Sequence, residues 1–208
     1  MRVDFNDFFK FTWRFFKIAA LALLVQQGSA LSAASKVLNV PLYAQQTNMW
    51  CWAAGGEMIM TYLGTNVAQC KQANDRFGLT TCCLMPTPAA CRNGGWPNYG
   101  LYGFTSSSTA WGTALTFAQL QGQINANKPV GFSWGWVGGG GHYMDAVGYM
   151  NLSFFPFISM KFVLKNDPWP WNTNKLAGGK RSWITYSAYV SQPGHHVHWK
   201  DDYNITKR

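Results

Sequence analysis

The sequence predicts an α+β domain whose N-terminal half is helical and whose C-terminal half is antiparallel β-structure. Apolar residues recur at helical spacing between positions 50 and 125, and after Pro129 they give way to runs rich in β-branched and aromatic side chains. Of the 208 residues, 48% are hydrophobic, 16% aromatic and 12% charged, which is enough apolar mass for a buried core and excludes a disordered chain. No repeat or low-complexity linker divides residues 35–208, so one domain is expected there.

Ahead of that domain, Arg2, Lys10, Arg14 and Lys17 lead into the apolar run Ile18 to Val25, then into small residues at Gly28-Ser29-Ala30 and Ser32-Ala33-Ala34. A basic segment, a short apolar run and a small-residue cleavage site describe a secretory signal peptide. A retained signal anchor is the alternative, opposed by Lys17, which interrupts the apolar stretch. Cleavage after Ala30 or Ala34 fits equally well. We take residues 1–34 as the signal peptide and expect a secreted or periplasmic protein with no stable membrane span after cleavage.

The net charge of +9 includes four basic and two acidic side chains of that leader, so the mature chain carries +7. Its remaining Lys and Arg are scattered, which reads as solvated surface and gives no reason to expect a specific nucleic-acid partner.

Within the domain, Val37 to Leu42 alternates and reads as a short extended lead-in that stops at Pro41, and Gln45 to Met49 forms a polar turn. Trp50 to Leu63 is helix-compatible, with Ala54, Met58 and Tyr62 at four-residue spacing and Gly64 placed to end it. Gly55 and Gly56 each cost such a helix up to about 1 kcal/mol relative to Ala, so its stability must come from burial. A second helix is predicted from Ala68 to Phe77, closed by Gly78, before a cysteine-rich loop from Thr81 to Gly95.

A third helix begins near Thr116, with Gln119 in the capping-box position and Phe117, Leu120 and Ile124 on one face, and stops by Pro129. Strands follow at Val130–Val137, His142–Met150 and Phe157–Leu164, joined by four glycines at 138–141 and a loop around Pro156. The glycine run is not a phosphate loop, because no Gly-Lys-Ser/Thr follows it.

Cys51 stands at the start of the first helix, where the macrodipole favours thiolate, the nucleophilic form. Such a nucleophile needs a base, and the base needs a third group to hold its ring. His142 opens a predicted strand right after the glycines and is the best placed of the four histidines. Asp167 ends the next strand beside Asn166. Because strand neighbours point to opposite faces, only one of the two should orient His142.

Gln45, six residues before Cys51, is the candidate oxyanion donor together with the Cys51 backbone N–H, and Gln46 is its alternative. Taken singly, each residue has a plainer explanation. Cys51 suits a packed or disulfide-bonded cysteine, Asp167 a turn cap before Pro168, and the two glutamines a polar loop.

Three segments in order carry a family resemblance: Val40 through Gln45-Gln46-Thr47-Asn48-Met49-Trp50-Cys51-Trp52 to Ala54, Gly141-His142-Tyr143 through Tyr149, and Asn166-Asp167-Pro168-Trp169-Pro170. Over roughly residues 38–190 the chain resembles the papain-like cysteine proteases, above all the compact bacterial branch that includes plant-pathogen avirulence effector proteases. Gln72-Ala73-Asn74, Phe77-Gly78 and Cys82-Cys83 add to the likeness.

The resemblance implies a papain-like fold with its central helix starting at the nucleophile. It also implies Cys51 as nucleophile, His142 as base, Asp167 as orienter and Gln45 at the oxyanion hole. Plant papains usually carry Asn where Asp167 stands, and a Cys where this chain has Thr47. The compact branch tolerates both, so these departures bear on substrate preference rather than on the chemistry.

With Cys51 free, Cys70, Cys82, Cys83 and Cys91 form an even set, and a bond between neighbours Cys82 and Cys83 would be strained. Either Cys70–Cys82 with Cys83–Cys91, or Cys70–Cys83 with Cys82–Cys91, is expected. A zinc site fits adjacent cysteines and an oxidising compartment poorly. His195, His196, His198, Asp201 and Asp202 lack regular metal-ligand spacing and read as surface or core-edge packing around Trp199. No cofactor and no metal is expected.

These residues together predict an exported, monomeric cysteine endopeptidase acting on protein or peptide through a Cys-His-Asp triad and an acyl-enzyme. The enzyme rival is a transglutaminase-type acyl transferase or deamidase, which shares the order Cys, His, Asp. The non-enzymatic rival is a disulfide-stabilised secreted binding protein that uses Trp134–Trp136 and Trp169–Trp171 as a recognition surface.

Overall fold

The computed structural model describes residues 31–154 and 158–208, so the signal-peptide expectation for residues 1–34 falls mostly, and the loop around Pro156 and the start of the strand at Phe157 fall wholly, outside the described residues. By its contacts the chain divides into two units. One comprises Met1–Ala33 with Leu152–Ser159, described only as the ends of strands; the other comprises Ala34–Asn151 with Met160–Arg208 and holds everything below.

Four α-helices lie in the described residues: α1 (Cys51–Tyr62), α2 (Gln69–Phe77), α3 (Phe117–Asn125) and the short α4 (Tyr186–Val190). The strands among them are β1 (Leu31–Val37), β2 (Phe104–Ser108), β3 (Val130–Trp136), β4 (Gly141–Phe154), β5 (Ile158–Asp167), β6 (Lys180–Thr185), β7 (Ser191–Gln192) and β8 (His196–Lys207). They form one sheet in the order β2-β8-β3-β4-β5-β6, with β1 on β4 and β7 on β8. β3 runs antiparallel to both β4 and β8, as β2 does to β8 and β5 to β6. None of the described helices is long and apolar enough to cross a membrane.

The architecture is α+β with an antiparallel sheet, as the change of period predicts, but the two halves are less separate than expected. β2 lies in the first half and joins the sheet through the last strand, β8. The lead-in also differs: β1 ends at Val37, and the segment to Pro41 is irregular, tied to the sheet by the bond from Leu38 N–H to the Val147 carbonyl at 2.8 Å.

α1 is apolar on every side except at Glu57 and is buried throughout from Trp52 to Met60. Its glycines are contact points. A Cβ on Gly55 would lie 2.7 Å from the Tyr143 ring of β4, and one on Gly56 would lie 2.5 Å from Gln72 Oε1 of α2. α3 carries the expected capping box, Thr116 accepting from Gln119 N–H and Gln119 Oε1 accepting from Thr116 N–H.

Alternation along the strands serves two cores. Val130, Phe132 and Trp134 of β3 with Met144 and Ala146 of β4 pack with Leu120 and Ile124 of α3. Tyr143, one residue out of phase, joins Trp50, Trp52 and Ala53 beside the disulfides. Those bonds are Cys70–Cys83 and Cys82–Cys91, the second of the two expected pairings, and Cys51 is free.

His195 is exposed, but the rest of the C-terminal cluster is not at the surface. His196, His198, Asp201 and Asp202 are all buried on β8, a strand the sequence reading missed. Asp201 accepts from Leu115 N–H at 2.6 Å, from the Tyr189 hydroxyl and from His198 Nε2 at 3.0 Å, so partners within the fold satisfy the buried carboxylate. Trp134, offered above as part of a recognition surface, is likewise buried, its indole N–H donating to the Tyr189 carbonyl at 2.9 Å.

Candidate active site

Cys51 is the first residue of α1 and is partly exposed, whereas Trp50 and Trp52 on either side are buried. The two indoles hold the helix start against the cysteine-rich loop. Trp50 Nε1 donates to the Cys91 carbonyl at 2.7 Å and Trp52 Nε1 to that of Asn93 at 3.1 Å. The disulfide that closes Cys82 on Cys91 therefore fixes the ground on which the Cys51 thiol stands.

His142 lies at the start of β4, after Gly138, Gly139 and Gly140, all three with positive φ, which glycine adopts without strain. Its Nε2 donates to Asp167 Oδ1 at 2.6 Å. Cys51 lines the same cleft as the imidazole. Trp136 lies 6.1 Å from the imidazole, centroid to centroid, and nearly parallel to it.

The charges of this group support one another. Burial pulls the His142 pKa down, but hydrogen bonds to Asp167 and Cys51 and the negative charge on both outweigh it, and the imidazolium holds its proton up to about 9. Burial likewise raises Asp167, yet the His142 hydrogen bond and charge, with those of Lys165, carry it down to about 2.

Asp167 and Asn166 take opposite faces of β5. Asn166 turns away, donating to the Pro41 carbonyl at 3.0 Å and accepting from Arg181 Nε at 2.7 Å. Asp167 Oδ1 also receives the Trp169 N–H at 3.0 Å, and Oδ2 receives Lys165 Nζ at 2.5 Å.

Gln45 is buried and lines the same cavity as Cys51, His142 and Asp167, a cleft of about 580 Å³. One hydrogen of its Nε2 is used on the Thr47 carbonyl at 2.8 Å, which leaves the second for another acceptor. Gln46 points elsewhere, its side chain donating to the Thr173 carbonyl at 3.0 Å. Around these polar groups the cleft is mostly aromatic, with Trp96, Trp136, Trp169 and Trp199 and with Met49.

Three residues have a supporting role that the sequence reading did not assign, although Gln72 was among the residues that carry the resemblance. Gln69, buried on α2, accepts from Gln46 N–H at 2.8 Å and donates to the Ala44 carbonyl at 2.9 Å, which clamps the segment carrying Gln45. Gln72 ties α2 to α1 through the Ala53 carbonyl at 2.8 Å. Lys165, the partner of Asp167, is the third. Gln69 and Gln72 share a face of α2 at i, i+3, a polar pair on an otherwise ordinary helix, and that was the available signal.

A model of the Peptidase_C39-like family matches residues 37–192, a span that contains Gln45, Cys51, His142 and Asp167. No curated protein matches the chain.

Proposed function

We propose a reaction on one premise: the chain belongs to the Peptidase_C39-like family. It is a cysteine peptidase, and its substrates are proteins or peptides. The finer assignment is ours: Cys51 is the nucleophile, His142 its base, Asp167 the group that orients His142, and Gln45 an oxyanion donor. The observation that supports it is the His142–Asp167 hydrogen bond at 2.6 Å in the cleft that the free Cys51 also lines.

His142 takes the proton of the Cys51 thiol and becomes the imidazolium. The sulfur attacks the substrate carbonyl carbon, and the C=O electrons move to the oxygen, which meets the free Gln45 Nε2 hydrogen and the Cys51 N–H at the helix start. Collapse of this intermediate expels the amine, which takes its proton from His142. A water molecule, deprotonated by the now neutral His142, then attacks the acyl-enzyme carbonyl and releases the acid and the thiolate. Asp167 keeps the ring in register and stays ionised throughout, as its low pKa requires.

The two disulfides suit an oxidising compartment, which supports export, with residues 1–34 as the leader. Cleavage within a chain, by an enzyme acting as a monomer, completes the reading. The motifs around Cys51, His142 and Asp167 support a narrower kinship with the compact effector-like branch.

The test is chemical. Iodoacetamide labels Cys51 in the native protein, and Cys51→Ala abolishes peptide hydrolysis. Unchanged hydrolysis by that variant sinks the mechanism. Glutamine cross-linking or deamidation in place of cleaved peptide, read by mass spectrometry, selects the transglutaminase-type rival. A native thiol count of zero selects the binding protein.

A further inference from the structure

We propose that Lys165 is a positioning residue of the cysteine centre, holding the Asp167 carboxylate and supplying the cation that balances the Cys51 thiolate through the Asp167–His142 pair. The inference rests on the assignment of Cys51 as nucleophile made above.

Lys165 and Asp167 are two residues apart on β5 and so share a face, which is how Lys165 Nζ comes to lie 2.5 Å from Asp167 Oδ2. The lysine is itself almost fully buried. Packing alone does not call for a charge there: its ammonium lies 3.5 Å from Met144 Sδ and 5.6 Å from the Trp134 ring centre, surroundings that a methionine would fill. A buried ammonium is costly unless paired, and its acidic partner is the carboxylate that holds the His142 ring.

With Oδ1 receiving His142 Nε2 and the Trp169 N–H, and Oδ2 receiving Lys165, the carboxylate cannot turn without losing a donor. The charges then alternate as Lys165⁺, Asp167⁻, His142⁺, Cys51⁻, a row that is neutral only when the lysine is present. The other titratable groups facing it do not replace that charge. Burial first, and then the positive charges around it including Lys165, hold His196 of β8 below its ordinary value. Lys180 of β6 stands opposite Asp167 in register and is exposed at the surface, and Arg181 is turned to Asn166.

The experiment follows the rate of Cys51 alkylation by iodoacetamide from acid to alkaline pH, a readout that needs no knowledge of the substrate. In the wild-type protein the rate changes near pH 9 as His142 loses its proton. Below that step Lys165→Met lowers the rate roughly threefold or more, because the sulfur loses both a nearby cation and a firmly held imidazole ring. Lys165→Arg keeps the rate close to its wild-type value.

An unchanged rate in Lys165→Met overturns the proposal, whatever happens to the thermal midpoint. Alkylation of Cys51 no faster in the native wild-type protein than in the urea-unfolded chain instead sinks the assignment of Cys51. Should Lys165→Met not fold, the wild-type protein decides: the ¹⁵Nζ resonance of Lys165 shifts when Cys51 is alkylated, and a resonance that stays in place overturns the proposal.

Discussion

His142 Nε2 and Asp167 Oδ1 lie 2.6 Å apart across the starting end of one strand and the finishing end of the next, and this contact moves the two groups' pKa values in opposite directions. The imidazole holds its proton to about 9 against an ordinary 6.5, and the carboxyl releases its own at about 2 against 3.8. The two shifts describe one interaction and are not added. The His142 side is fully stabilising below pH 6.5 and is lost as pH rises through about 9; the Asp167 side is fully stabilising above pH 3.8 and is lost as pH falls through about 2. The contribution of this pair to stability therefore plateaus between those ordinary values and declines on both sides.

Asp167→Asn removes the charge and keeps the shape. The alkaline limb of activity then moves down from about 9 toward 6.5, since the imidazolium has lost its counter-ion. The rate of peptide hydrolysis falls by about tenfold to a hundredfold. A pH–rate profile of wild type and variant on one peptide checks both; an alkaline limb that stays in place contradicts the role assigned to Asp167.

Much of this centre is legible in the sequence because its members sit at element edges: Cys51 after a polar turn, His142 after four glycines, Asp167 before Pro168. The strand parity that sets Asn166 and Asp167 on opposite faces was legible too. Applied one step further back, the same parity places Lys165 on the Asp167 face, but a lysine in a strand reads as a solvated charge until its surroundings are seen. β8 was hidden for a related reason. His196, His198, Asp201 and Asp202 break the apolar alternation that marks a strand, and their partners, Leu115 and Tyr143 far off in sequence and Ala188 and Tyr189 nearer by, are visible only in the fold. β2, with Thr105 and three serines after Phe104, carries no apolar alternation at all.

The glycines of α1 show helix propensity overridden by packing. On an exposed helix Gly→Ala stabilises by up to about 1 kcal/mol. Here Gly55→Ala would place a methyl 2.7 Å from the Tyr143 ring and 2.8 Å from Asp145 Oδ1, and Gly56→Ala one 2.5 Å from Gln72 Oε1. Each substitution is expected to cost about 1–3 kcal/mol by chemical denaturation, and a neutral or stabilising result would mean that α1 can shift on the sheet.

Asp145 is fully buried, and neither of its carboxylate oxygens meets a protein donor. Burial, aided by the negative charge of Asp202, holds its carboxyl well above the ordinary range, so it is expected to be neutral in the folded protein. An acid whose pKa is raised by folding weakens the fold as pH climbs above its unfolded value. Asp145→Asn removes that slope. It should therefore gain about 1–3 kcal/mol over wild type at mildly alkaline pH and little near pH 4, measured by urea unfolding at both.

Glu57 is buried in the middle of α1 and has one cationic partner, Lys175 Nζ, 2.5 Å from its Oε1. Lys175 belongs to the loop that follows Asp167, and its ammonium also lies 4.3 Å from the Tyr43 ring centre. The same loop pairs with the segment holding Gln45, through Gln45 N–H to the Pro168 carbonyl and Asn172 N–H to the Gln45 carbonyl, each at 3.0 Å. Lys175→Met would leave the Glu57 charge buried without its counter-ion, at a cost of about 3–5 kcal/mol, whereas Glu57→Gln with Lys175→Met together should recover most of that loss. Because the loop also holds Gln45, the single variant should slow peptide hydrolysis even where it remains folded, and the double variant should restore the rate. A single variant that loses stability at full activity would separate the loop from the oxyanion site.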